Sequence, residues 1–500
     1  MCMMTGEGLM ATVAELEIVF SHLVEAQAPA IDSLPEGADS MGWLLTQDFA
    51  MARVSPTGNV IGLAKAGLPG LLAFAKAVRA MNPRYARGTR IKPFVEQVFS
   101  QVVAVRRGRS AGPIQPFDIA AIEKGVAAWF ASEAQVQKHL IPCAILPDLA
   151  KPFSIGPVHF QPVSTFDPAS FDIMQGLEQV ALAPLDALIR QRGADWLAAV
   201  EVDGYEPERS NEVAELAVDV ALGSLQLVIP LTYGARASRI TARMLPPFTA
   251  ALVNVAGKVS PRTSNNQPGL GLGGSAFDAF LNHGDGILAS AGQRIRSFIT
   301  GRGILPKLEM AWCNGAFWFH EALAEPLATV AIAKLETAIE NLFGSSSLGE
   351  SKKRILMAFR GLYGLERGDP IAVGSSIQVD TYVEKVVEVR SRILHGNWST
   401  LTEELPLGRE EVANLARCML VDYNQQLDLY SATSNPVDEA VQFLDWIVMR
   451  RRAATSQNTS NAASPSDQIA SGDGLECSAS QLAKTQQPCG VTPTENGLPT

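Results

Sequence analysis

The chain has 500 residues, 47% of them apolar and 18% charged, with a formal net charge of −10. That length predicts two or three domains with ample material for packed cores. The acidic balance argues against non-specific coating of nucleic acid, which requires cations to neutralise phosphates.

The opening stretch, Met1 to Phe20, has no basic segment ahead of its apolar residues, so no secretory signal is expected. No run approaches the roughly 18 apolar residues of a membrane span. Cysteines at 2, 143, 313, 418, 477 and 489 form no CxxC pair. They read as scattered reduced thiols, and the expected compartment is the cytoplasm.

Residues 1–150 read as a mostly helical N-terminal region. GLPGLLAFAKAVRAM (67–81) and PFDIAAIEKGVAAWFASEAQVQKHL (116–140) have helical periodicity and good helix formers. A local basic cluster lies here: Arg84, Arg87, Arg90, Lys92, Arg106, Arg107 and Arg109, with Glu96 as the one acid among them. It is read either as a weak RNA-binding surface or as an ordinary solvated face.

From 151 to 310 the period changes to that of an α+β region. PFSIGPVHFQPV (152–163), WLAAVEVDGY (196–205) and LQLVIPLTY (225–233) predict strands. SNEVAELAVDVALGSL (210–225) predicts a helix between the last two, and ITARML (240–245) and FTAALVNVAG (248–257) extend the β-containing part. Residues 259–275 read as loop. Gly269, Gly271 and Gly274 satisfy GxGxxG, but a dinucleotide fold needs a strand leading directly into it and an acidic residue on a second strand. The spacing of His22, His139, His159, His283 and His320 offers no metal site, and no cofactor is expected.

Residues 311–452 predict an all-helical bundle. A long pattern runs from Trp312 to Phe343 with Pro326 as a kink or junction. Further helices fit 351–367 (Ser351 as cap), 380–395 (Asp380 as cap), 409–432, and a fifth opened by Asn435 and Pro436. Residues 453–500 are too polar to bury a core and read as a disordered tail. The whole reads as a multi-domain α+β protein: a mixed α/β N-terminal region, a helical bundle, then the tail.

Within the bundle, Arg390-Ser391-Arg392-Ile393-Leu394-His395-Gly396 carries the chemistry. On a helical wheel with Val383 at zero, Arg390 falls at about −20°, inside the stripe of Val383, Val386, Val387 and Leu394. A permanent charge there must be paired or used. His395 falls at about 120°, on a polar flank, and Gly396 follows as C-cap. Glu336 lies on the stripe of Ile332, Leu335, Ile339 and Phe343, so Glu336 or its neighbour Glu340 is placed to pair with Arg390.

RSRILHG, with AIAKLETAIENLF (331–343) upstream and HGNWSTL following, resembles the signature of the HEPN domain, in its Apea-like branch, over roughly residues 312–435. The resemblance implies a metal-independent RNA endonuclease that leaves a 2′,3′-cyclic phosphate. In it Arg390 holds the phosphate, His395 moves the proton and Ser391 gives polar support. Glu340 falls at the family's acidic position. Ser391 departs from the more usual Asn, Asp or His. The resemblance also implies a homodimer with two motifs facing one another, and a role in bacterial defence or stress. The alternatives are a non-catalytic HEPN module for binding or dimerisation, and a toxin held in check by a regulatory partner protein.

Overall fold

A computed structural model describes residues 6–27, 48–54, 59–108, 113–146, 151–168, 178–234, 237–240, 248–265, 269–345, 347–372, 375–399 and 403–461. The chain divides into two compact units: residues 1–137 with 202–213, and residues 138–201 with 214–500. A mixed α/β N-terminal part is followed by a helical C-terminal part. Among the described residues no helix is long and apolar enough to cross a membrane.

The first unit holds a three-stranded antiparallel sheet, in the order β1-β3-β2, built from β1 (Leu23–Gln27), β2 (Phe49–Val54) and β3 (Asn59–Ala64). The sequence reading, mostly helical, missed it. The strands are short, and β2 is half-buried with little alternation, so neither periodicity nor length marks them. Helices α1 (Gly6–Ser21), α2 (Leu68–Met81), α3 (Pro83–Gly88), α4 (Ile91–Arg107) and α5 (Pro116–Glu133) complete the unit. Phe74, Phe94, Val98, Phe99, Val102 and Ile122 form its fully buried core. The predicted helix 116–140 stops at Glu133, and Gln137–Ala144 is strand β4.

The second unit contains a five-stranded sheet, β5-β6-β7-β4-β8. Its members are β4, β5 (Phe153–Ile155), β6 (Val158–Pro162), β7 (Trp196–Val202) and β8 (Ser238–Arg239). Helix α6 spans Glu178–Arg192. The apolar run 225–233 is helical, not a strand. It finishes α7 (Pro207–Val228) and opens the short α8 (Leu231–Gly234). A continuous apolar run fits a buried helix as well as a strand, and here the amphipathic helix before it propagates through. Of residues 240–245, 241–245 lie outside the described residues.

The stretch 259–275 is only partly loop. Residues 258–265 form β10, paired antiparallel with β9 (Phe248–Val255) in a separate two-stranded ribbon. Ala256 and Gly257 both have positive φ, 52° and 82°, the pattern of a type I′ turn. The GxGxxG run therefore follows an antiparallel ribbon and not the strand of a βαβ unit.

The β5–β6 turn crosses helix α10 (Asp285–Thr300), which follows α9 (Gly274–His283), with no room for side chains. Gly156 has φ 59°, and a Cβ on it would lie 2.4 Å from the Gly292 carbonyl oxygen. Gly156→Ala combines left-handed strain with overpacking and is expected to cost about 2–4 kcal/mol. Urea unfolding measures it, and an unchanged midpoint refutes the close approach.

The C-terminal helices are α11 (Pro306–Leu323), α12 (Ala328–Phe343), α13 (Leu348–Ala358), α14 (Val379–Leu394), α15 (Arg409–Ser431) and α16 (Ala440–Asn461). The 312–343 pattern breaks at Pro326, and Arg409 donates to the last carbonyls of α11, on Ala322 and Leu323. The predicted helix 351–367 is α13 followed by a π-helical turn, Phe359–Tyr363, which Gly364 ends at φ 71°. Its cap is Ser347, whose hydroxyl accepts from the Glu350 amide at 3.3 Å, and not Ser351. Gln378 takes the N-cap position of α14 without a side-chain hydrogen bond, and Asp380 lies in the first turn.

The last helix begins at Ala440 rather than at Pro436. Asp438 instead caps α11, accepting from the amides of Lys307 and Leu308 at 2.9 and 3.0 Å. Residues 453–461 continue α16 rather than starting a tail, because adding a turn to a packed helix costs little. Residues 462–500 lie outside the described residues.

Candidate functional site

Helix α14 packs against α12 and α13 and buries Val379, Tyr382, Val383, Val386, Val387 and Val389. On α12 Ile332, Leu335, Ile339 and Phe343 are buried, and Glu336 on the same stripe is completely buried. Arg390 lies on the inner side of α14 with a quarter of its side chain exposed. One guanidinium nitrogen is 2.7 Å from a Glu340 oxygen, and Nε is 3.4 Å from Glu336 Oε2. The second contact is close enough for ion pairing but too poorly aligned for a hydrogen bond, since both atoms are otherwise unsatisfied.

Ser351 completes the cluster by donating to the other Glu336 oxygen at 3.4 Å, and Ser345 donates to Glu340 at 2.8 Å. Sequence reasoning missed both serines. Ser351 was assigned to a cap, and a serine one turn inside a helix gives no signal of a buried carboxylate partner.

Burial pushes the Glu336 carboxyl up to about 8. Glu340 beside it contributes to that rise, and Arg390 and Ser351 only partly offset it. Near neutral pH, then, Glu336 is mostly protonated, and the shorter contact of Arg390 is the one to Glu340.

His395 stands apart from this cluster. Helix α14 ends at Leu394, His395 is its C-cap, and Gly396 takes the left-handed conformation at φ 70°. The histidine is exposed, and its ring has no partner among the described residues. Five residues at about 100° each place it about 140° around the helix from Arg390. One protomer therefore does not bring the two groups onto one face. Ser391, half-buried between them, accepts from the His395 amide through its carbonyl at 3.1 Å.

Leu394, assigned to the buried stripe by its wheel position, is 63% exposed because the helix ends there. The segment that follows is fixed by Arg392, which donates to the Asn397 carbonyl at 3.1 Å and to Glu403 at 2.6 Å and stacks 4.7 Å over Trp398.

The basic cluster of the first unit is partly neutralised by acids distant in sequence. Arg90 pairs with Glu206, Glu208 and Glu212 at 3.3, 2.9 and 3.7 Å. Arg106 lies 3.4 Å from Glu25, and Arg87 sits 5.2 Å over the Tyr205 ring. Arg84, Lys92 and Arg107 are exposed, and Arg109 lies outside the described residues. Arg84 edges a cavity of about 360 Å³ together with Tyr85, Phe130 and Asp203.

Two buried polar clusters escaped the sequence reading. Arg239 grips both oxygens of Asp219, at 2.8 and 3.0 Å. His320 Nδ1 lies 2.8 Å from Gln226 Oε1, with Nε2 3.8 Å from Asp219. The Gln226 amide nitrogen donates to the Ala237 carbonyl at 3.3 Å, which leaves Oε1 as acceptor and puts the histidine proton on Nδ1. Burial lowers the His320 pKa. With His320 and Asp219 each 3% exposed, no substrate reaches them. The second cluster, around Arg294, joins α10, α11 and α15.

Comparison of the chain with protein-family models, with curated proteins and with solved structures found no match.

Proposed function

We propose that residues 312–435 form a HEPN-like bundle that cleaves RNA without a metal. In this reading the ribose 2′-hydroxyl attacks the adjacent phosphorus as the 5′-oxygen departs, leaving a 2′,3′-cyclic phosphate and a 5′-hydroxyl. Arg390 holds the charge that builds on the phosphate, and His395 moves the proton. The observation that carries the reading is an exposed His395 at a helix C-terminus, its ring without a partner among the described residues.

Because Arg390 and His395 diverge around α14, the site needs a second copy, with the arginine of one protomer serving the histidine of the other. Exposed Leu394, beside His395, is a suitable apolar contact for such a pairing. Cleavage of cellular or phage RNA would place the protein in bacterial defence or stress, with the N-terminal unit sensing a trigger or a regulatory partner.

The test is RNA cleavage by the purified full chain in EDTA, wild type against His395→Ala. A loss of about 10²–10⁴-fold is expected, with unchanged unfolding because the exposed ring has no partner among the described residues. Equal cleavage by the two proteins refutes the assignment. A second reading, a non-catalytic binding or dimerisation module, is favoured by Glu340, which already pairs with Arg390 at 2.7 Å, with Glu336 beside it. His395→Ala separates the two better than Arg390→Ala, because removing the arginine strands buried carboxylates under either reading.

A further inference from the structure

Residues 250–263 of the β9–β10 ribbon are almost wholly exposed, with Leu252, Val255 and Val259 at 78, 66 and 62%. An isolated two-stranded hairpin is marginal in water, so the edges of this one decide what it meets.

The two edges are not alike. Val255 and Lys258 close the turn and face one another, which makes them a hydrogen-bonded pair; the alternation then makes Val253 and Ser260 another. The intervening pairs, Asn254 with Val259 and Leu252 with Pro261, point their backbone groups outward. On the β10 edge, Pro261 has removed one of these donors, and Lys258 and Arg262 flank it. Charge and proline are the usual guards against strand pairing. On the β9 edge, Phe248–Val255 has no charge, no proline and no glycine. Among the described residues no strand pairs with this edge, which presents the N–H and C=O groups of Ala250, Leu252 and Asn254.

We propose that β9 pairs antiparallel with β9 of a second copy of this chain, forming a four-stranded sheet across a two-fold axis at Leu252. The uncharged strand is self-complementary, so the symmetric pairing sets no charge against a like charge. Leu252 faces its own copy, Ala250 faces Asn254, and about six backbone hydrogen bonds form. The cation-bearing outer strands lie three strand spacings apart, roughly 14 Å, where salt screens them. An RNA strand would meet Lys258 and Arg262 but leave the β9 edge and Leu252 bare. The inference does not depend on the nuclease reading.

Sedimentation equilibrium of the full chain tests it. Leu252→Pro removes an outward donor without touching the hairpin ladder, and its expected effect is to halve the assembled mass. Val259→Pro makes the same change on the guarded edge and should leave the mass unaltered. Leu252→Lys keeps the backbone but sets two charges face to face, and should weaken assembly by at least tenfold. Amide exchange at Leu252 and Asn254 should be slow in the wild type and fast in Leu252→Pro. A wild type with the same mass as Leu252→Pro overturns the proposal, as does equal loss in Val259→Pro. So does an intact assembly in Leu252→Pro that has lost RNA binding, which would assign the ribbon to nucleic acid.

Discussion

Arg294→Ala is expected to destabilise the second unit by about 3–5 kcal/mol. Arg294, on α10, is 2% exposed. Its Nε donates to Asn424 Oδ1 at 3.2 Å, one terminal nitrogen donates to Glu309 at 3.4 Å, and the other pairs with Asp428. Ser297 bonds the second oxygen of Glu309, and Ser290 bonds Asp428. The two carboxylates fare differently once the cation is gone. Asp428 is partly open to water, whereas Glu309 is 5% exposed and keeps, among the described residues, Ser297 as its side-chain partner. An unpaired buried carboxylate must either desolvate at high cost or take up a proton.

The double variant Arg294→Met with Glu309→Leu is therefore expected to recover much of the loss, because apolar residues of similar volume often replace a buried ion pair with little net change. Urea unfolding of the two single variants and the double variant closes the cycle. Additive losses would show that the pair is not coupled through the core.

Legibility in the sequence followed the physics of each segment. The bundle helices were readable because apolar residues recur at helical spacing over sixteen residues or more in α12, α14 and α15. The same periodicity put Glu336 on the stripe that faces Arg390. It could not say that Glu340 would make the shorter contact, because that depends on how far one helix slides along the other.

Caps were read less well. Ser347 and Ser351 are both serines near the start of one helix, and only packing shows that one caps while the other bonds a buried carboxylate. The ribbon's second strand, KVSPRTSN, has a polar composition that reads as loop, and its Ala-Gly turn lacks the Asn-Gly or Asp-Gly signal. The helical end of α7 was lost for the opposite reason. Its apolar run fits two structures, and the choice between them is made by the helix preceding it.

Stability should fall as pH rises from about 4.5 to about 8, and Glu336→Gln should abolish most of that slope. The Glu336 carboxyl is raised in the folded protein from an ordinary 4.5 to about 8. Between those values the folded state keeps a proton that the unfolded chain has released. Rising pH therefore favours unfolding, by up to about 1.4 kcal/mol per pH unit from this group. The contribution is complete below the unfolded value, drains away through the window and is gone above the folded one. Glutamine holds the neutral form at every pH and can still accept from Ser351, so Glu336→Gln should be the more stable protein above pH 8. Thermal unfolding of both proteins across that window measures the difference, and parallel profiles would place the titration elsewhere.

The same proton governs what Arg390 can hold. With Glu336 neutral, Arg390 faces one charge, on Glu340, and keeps part of its field for an incoming phosphate. Once Glu336 ionises, two carboxylates compete with that phosphate. Under the nuclease reading, cleavage declines above pH 8 in the wild type and does so later in Glu336→Gln. A decline that is identical in both would detach the buried glutamate from the arginine's chemistry.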